Sequence, residues 1–72
     1  MSVRNISVVK IVELIGSSPN GWNEAVETAL KEAAKTVKNI NGIDVKNCTA
    51  KVENNKIVEY RTVVRISFLV ER

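Results

Sequence analysis

Two interleaved rows of side chains run from Lys56 to Val70 with a period of two. One row, Val58, Tyr60, Val64, Ile66, Phe68 and Val70, is apolar apart from Thr62. The other alternates Ile57, Val63 and Leu69 with Glu59, Arg61, Arg65 and Ser67. Successive strand residues point to opposite faces, so this stretch predicts a long β-strand whose apolar row needs a covering layer. The mixed row is too apolar for open solvent and too charged for a dry core, which suits a face turned toward other copies of the same chain.

Residues 8–15 predict an earlier strand, apolar on both faces apart from Lys10 and Glu13 and therefore expected to be covered on both sides. The run Gly16-Ser17-Ser18-Pro19-Asn20-Gly21 is dense in turn formers, predicting a break in which Ser18 or Asn20 caps a helix. From Trp22 to about Asn39, Trp22, Ala25, Val26, Ala29, Leu30, Ala33, Val37 and Ile40 fall at helical spacing. Glu24 and Glu27 lie early, and Lys31, Lys35 and Lys38 late, as the helix dipole favours. Asn41 or Gly42 is expected to take the left-handed conformation that closes the helix. Residues 43–53 predict a second strand, joined to the last through Glu53-Asn54-Asn55-Lys56, whose asparagines tolerate positive φ. A fourteen-residue last strand would reach about 46 Å, whereas an 18-residue helix spans only ~27 Å. One helix cannot cover such a sheet.

With 72 residues the chain makes one domain, expected over 1–72, and a domain this small buries only about 60% of its unfolded surface. A single cysteine and no histidine remove disulfides and the usual zinc sites as sources of extra stability, leaving oligomerisation. With no apolar signal-peptide core or transmembrane run, a reducing cytoplasm is the expected compartment and no membrane partner is expected. The net charge of +3 is spread along the chain, and the one Trp, one Tyr and one Phe are widely separated. Nucleic-acid binding, which wants clustered cations and stacking aromatics, is not expected. Without histidine, a phosphate-cradling glycine loop or a carboxylate pair that sequence alone can place together, no enzyme chemistry is expected.

Three runs carry a resemblance. They are Val12-Glu13-Leu14-Ile15-Gly16-Ser17-Ser18, Ala25 to Thr36 with its Ala33-Ala34-Lys35-Thr36 end, and Glu59-Tyr60-Arg61 leading into Val64-Arg65-Ile66-Ser67-Phe68. In order and spacing they resemble the dodecin family over nearly the whole chain. The resemblance implies an α+β fold of order β-α-β-β, with a three-stranded antiparallel sheet wrapped around one helix, assembled as a hollow homododecamer. It also implies non-catalytic binding or storage of a small ligand, with flavin (riboflavin or FMN) as the family's cofactor.

In the flavin-binding members a tryptophan just after the helix stacks on the isoalloxazine ring, and a glutamine early in the last strand bonds its polar edge. Here Asn41-Gly42-Ile43-Asp44-Val45 stands where the family has Asp-Trp-Phe-Glu-Val, so Gly42 replaces the stacking tryptophan, and Arg61 replaces the glutamine. The resemblance thus points to Gly42, Asp44 and Arg61 as cofactor-site positions, in a subtype lacking the stacking residue. Removing an aromatic partner costs about 1–3 kcal/mol by analogy with base stacking. An arginine in place of glutamine offers donors only, which suits an anion better than a flavin edge. Trp22, about four turns away at the other end of the helix, is read as a packing anchor.

The remaining polar positions have simple readings. Arg61 and Arg65 share one face of the last strand, and Asp44 and Lys46 one face of the second, which fits salt bridges at an interface. Arg61 repeated by symmetry could alternatively line an anion pocket. Glu13, Glu53 and Glu59 could bind calcium or magnesium along a symmetry axis, although no local calcium loop exists and a single chain offers no metal site. Cys48 reads as a small packed hydrophobe.

Overall fold

The computed structural model describes residues 8–70, so positions 1–7 and 71–72 of the domain expected over 1–72 lie outside the described residues. Four elements follow one another: β1 (Val9–Ser18), α1 (Trp22–Ala34), β2 (Ile40–Glu53) and β3 (Lys56–Leu69). They form the expected β-α-β-β fold, an antiparallel three-stranded sheet in the order β1-β3-β2 with the helix against it. The strand with the longest alternating pattern, β3, is the central one, hydrogen-bonded along both edges.

The apolar row of β3 meets the helix. Thr62, Val64 and Ile66 are fully buried, and Ala25, Ala29 and Ala33 are the buried positions of α1. Val12, Leu14, Val26, Leu30 and Ile40 pack around this small core. Alanines every fourth residue let the helix axis come close to the sheet, and Gly16 continues that logic from the strand side. A Cβ at Gly16 would lie 2.1 Å from the Ala25 carbonyl oxygen and 3.0 Å from the Ala29 Cβ. Gly16 is therefore a close-approach glycine and not a turn glycine, and β1 runs on through Gly16-Ser17-Ser18 where a break was expected.

Both helix ends differ from expectation. The residue at the N-cap is Gly21, with no side-chain cap. Ser18 and Asn20 instead hold Glu24. The Ser18 hydroxyl donates to Glu24 Oε1, and Asn20 Nδ2 donates to the same oxygen at 2.7 Å. The Asn20 backbone N–H donates to Ser18 Oγ at 2.9 Å. At the other end the helix stops at Ala34, about one turn short, and the left-handed residue is Asn39 (φ 64°), not Asn41 or Gly42. The reversal comes early because β2 already begins at Ile40, which pairs with Phe68, while the Asn39 carbonyl accepts from the Leu69 N–H at 3.1 Å. The β2–β3 turn is as expected, with φ of 54° at Asn54 and 62° at Asn55, the two positive values of a type I′ hairpin.

The chain is long and thin, 56 × 20 × 17 Å, whereas 13 helical residues cover about 20 Å. The helix lies mainly on β1 and β3. The outer face of β1, expected to be covered, is open within one chain: Ile11 and Ile15 are 61% and 68% exposed.

Candidate functional site

Register places three rows side by side on the sheet face away from the helix. Ile15 lies opposite Val63. Glu13 lies opposite Arg65, which in turn lies opposite Asp44, and Ile11 lies opposite Ser67, which faces Gly42. A charged row is thus held between apolar and small ones. Glu13 collects two cations, Arg65 Nε at 3.6 Å from Oε1 and Lys46 Nζ at 3.8 Å from Oε2. Lys46 is the unpaired residue of an irregularity between Val45 and Asn47, the type of bulge that re-aims a side chain. Each of these charged groups is about half exposed, so within one chain the pairs contribute little. Asp44 makes no ion pair among the described residues.

Beside this row lies an open depression of about 320 Å³ lined by Ile11, Gly42, Ile43, Asp44, Arg65 and Ser67. Gly42 and Ser67 line it side by side, and the Ser67 hydroxyl donates to Asn41 Oδ1 at 2.9 Å. A Cβ at Gly42 would lie 2.8 Å from Ser67 Oγ. No positive φ requires glycine at position 42, so the missing side chain is what leaves the depression open.

Two of the three positions suggested by the resemblance, Gly42 and Asp44, therefore share one site. The third does not join them within a chain. Arg61 lies opposite Ser17 and Thr49, six residues along β3 from the partner of Gly42, about 20 Å away. Both its Nε and one terminal nitrogen approach Glu59 Oε1 at 3.2 Å. The residues that complete the depression, Ile11, Ile43, Arg65 and Ser67, were not legible as site residues. Alternation fixes their face, but strand offset fixes their neighbours, and offset is invisible until the strands are paired.

The other expected candidates are placed as follows. Trp22 is an anchor: its indole N–H donates to the Thr49 carbonyl at 2.9 Å, and its ring meets Tyr60 edge-on, with centroids 4.9 Å apart. Cys48 is free and exposed, not packed. Glu53 is 3.6 Å from Lys51, and Glu59 is held by Arg61. Among the described residues no three Asp, Glu, His or Cys side chains come together to hold a metal ion. Among them, too, no helix is long and apolar enough to cross a membrane.

Known proteins resemble this chain over almost its full length. A family model described as Dodecin matches residues 8–71. The dodecin of Thermus thermophilus is 33% identical over 64 residues, covering 89% of this chain and 93% of that one. The calcium dodecin of Mycobacterium tuberculosis is 30% identical over 63 residues, covering 88% and 89%. Among solved structures, the tt0972 protein of Thermus thermophilus superposes with a TM-score of 0.88 at 32% identity over 92% of this chain and 97% of that one. The calcium dodecin of Mycobacterium tuberculosis, described as having a novel calcium-binding site, gives 0.79 at 29% identity over 90% and 93%.

Proposed function

From the premise that this chain belongs to the dodecin family, we propose that it is a non-catalytic protein that binds a small ligand within a homododecameric shell in the cytoplasm. The observation that carries the reading is the depression over Gly42, flanked by Asp44 and Arg65, on a sheet face that keeps its apolar side chains exposed. A flat ligand lying over the Gly42 backbone would meet Ile11 with its face and Asp44 and Arg65 with its polar edge. Arg61 takes part only if a second copy brings it, because one chain holds it far from Gly42.

Flavin is the first ligand to test. Without a stacking tryptophan its affinity is expected to fall about ten- to a hundredfold below that of a chain that has one. Titration of riboflavin and FMN, read as quenching of flavin fluorescence, checks this beside Gly42→Trp. Because the new Cβ would crowd the Ser67 hydroxyl, the double variant Gly42→Trp with Ser67→Gly should bind more tightly than Gly42→Trp alone. If neither the wild type nor either variant quenches flavin, the depression is not a flavin site.

A second reading, in which the shell binds calcium or magnesium, is favoured by the similarity to a protein named calcium dodecin. In this chain carboxylates would have to come from several copies, with Asp44 the best placed since it makes no ion pair among the described residues. A rise in melting temperature with millimolar calcium, lost in Asp44→Asn, is the expected sign. No rise at saturating calcium removes this reading.

A further inference from the structure

The chain contains two Asn-Gly pairs, Asn20-Gly21 and Asn41-Gly42. Such a pair carries its own chemistry, because a glycine nitrogen is not shielded by a neighbouring Cβ and can attack the preceding side-chain amide. We propose that Asn20 is a site of spontaneous deamidation through a cyclic imide with Gly21, whereas Asn41, in an identical dipeptide, is protected by the fold.

The step balances without any oxidant or reductant. The Gly21 backbone nitrogen loses its proton and bonds to Asn20 Cγ. The Cγ–Nδ2 bond breaks, ammonia leaves, and a succinimide remains. One water then opens the ring at either carbonyl, giving aspartate or isoaspartate at position 20.

The surroundings of the two pairs differ where the reaction is sensitive. Asn20 is exposed in the short connection between β1 and α1. Gly21 is extended (φ 163°, ψ 169°), a conformation open to any residue, and a Cβ built on it meets nothing within 4 Å. Neither packing nor backbone geometry calls for glycine there, and the open space accommodates ring closure. The Gly21 N–H makes no hydrogen bond among the described residues, so the attacking nitrogen is not engaged. Asn41 is the unpaired residue of a bulge in β2 between Ile40 and Gly42, exposed like Asn20. Its Oδ1 is held by the Ser67 hydroxyl as Asn20 Nδ2 is held by Glu24, so the two sites differ in the glycine that must attack. Gly42 is half-buried and paired with Ser67, and a Cβ built on it would lie 2.8 Å from the Ser67 hydroxyl. Closing the ring at Asn41 would turn the backbone between Ile40 and Gly42, both paired with β3, whereas Gly21 is paired with no strand.

Deamidation at Asn20 would not be silent. It replaces the Nδ2 donor to Glu24 by a carboxylate and lowers the net charge of the chain from +3 to +2, one negative charge being added. Glu24, held by Ser18 and Asn20, would lose one of its two donors and face a like charge at the start of α1.

The test is to age the folded protein at mildly alkaline pH and map its peptides by mass. Trypsin separates the two sites, Asn20 falling in Ile11–Lys31 and Asn41 in Asn39–Lys46. The folded wild type should gain one mass unit at Asn20, with aspartate and isoaspartate both present and oxygen-18 taken up from labelled water. Asn39–Lys46 should stay unchanged. In concentrated urea both sites should react at similar rates, and Gly21→Ala, which has room for its methyl group, should slow the Asn20 reaction severalfold without altering the fold. Reaction at Asn41 as fast as at Asn20 in the folded protein, no reaction at Asn20 under conditions that convert it in urea, or an unchanged rate in Gly21→Ala would overturn the proposal.

Discussion

A Cβ at position 16 would stand 2.1 Å from the Ala25 carbonyl oxygen, backbone that cannot rotate away. Gly16→Ala must therefore lift the helix from β1, and by the usual scale of overpacking it should cost about 1–3 kcal/mol, read as a lowered urea midpoint. Glycine marks turns and close approaches alike, and the Gly-Ser-Ser-Pro-Asn-Gly run made the turn reading natural. What distinguishes them is Ala25, nine residues on, whose carbonyl reaches Gly16 only once the helix docks. Glu24 is a second case of local sequence acting through a partner. Hydrogen bonds from Ser18 first and Asn20 second hold its carboxyl below the usual value of 4.5. A carboxylate lowered in the folded state stabilises above its unfolded pKa and loses that contribution as pH falls through its folded one. Wild type should thus exceed Ser18→Ala in melting temperature near neutral pH by a margin that shrinks on acidification below about 4.5. A margin that widens on acidification would contradict these contacts.

The hairpin shows a single element written clearly in the sequence. Two consecutive asparagines, at φ 54° and 62°, occupy the positions that a type I′ turn places in the left-handed region. An ordinary L-residue pays about 1–2 kcal/mol there, so Asn55→Ala should destabilise by about 1 kcal/mol while Asn55→Gly costs little or nothing. Equal losses in the two variants by chemical denaturation would show that the asparagine side chain, not its backbone, matters. The alternating rows of β3 and the helical stripe of α1 were legible for the same reason as this turn: each depends on residues close in sequence. The end of α1 was not. Val37 and Ile40 continue the apolar stripe, yet the helix stops at Ala34 because Ile40 is claimed by Phe68 on β3. The candidate site follows the same division. Gly42 and Asp44, two residues apart on β2, stay together, whereas Arg61 is parted from them by the β2–β3 register.

At the scale of the molecule, the core is small and the exposed apolar surface large. Val64, Ile66 and three helix alanines are the buried apolar residues among those described, while Ile11, Ile15, Val45, Val52 and Ile57 are each at least 45% exposed. A rod of 56 × 20 × 17 Å built on so thin a core is poorly suited to life as a monomer. The outer row supplies a way to test what covers it. Ile15 lies opposite Val63, next to the Glu13–Arg65 pair, and is 68% exposed. A carboxylate there would touch no core contact of its own chain. If the face is covered by another copy, Ile15→Asp places a charge in that contact beside Glu13, where like charges and desolvation oppose association. Native mass spectrometry of the wild type should then show a multiple of the 8.0 kDa chain, and its melting temperature should rise with protein concentration. Ile15→Asp should shift the species toward single chains and melt at a lower temperature. An Ile15→Asp protein that keeps the wild-type mass and melting temperature would mean that the β1–β3 outer face stays open to water, and the contact between copies would then have to be sought along the exposed Val52, Ile57 and Val58 of the hairpin.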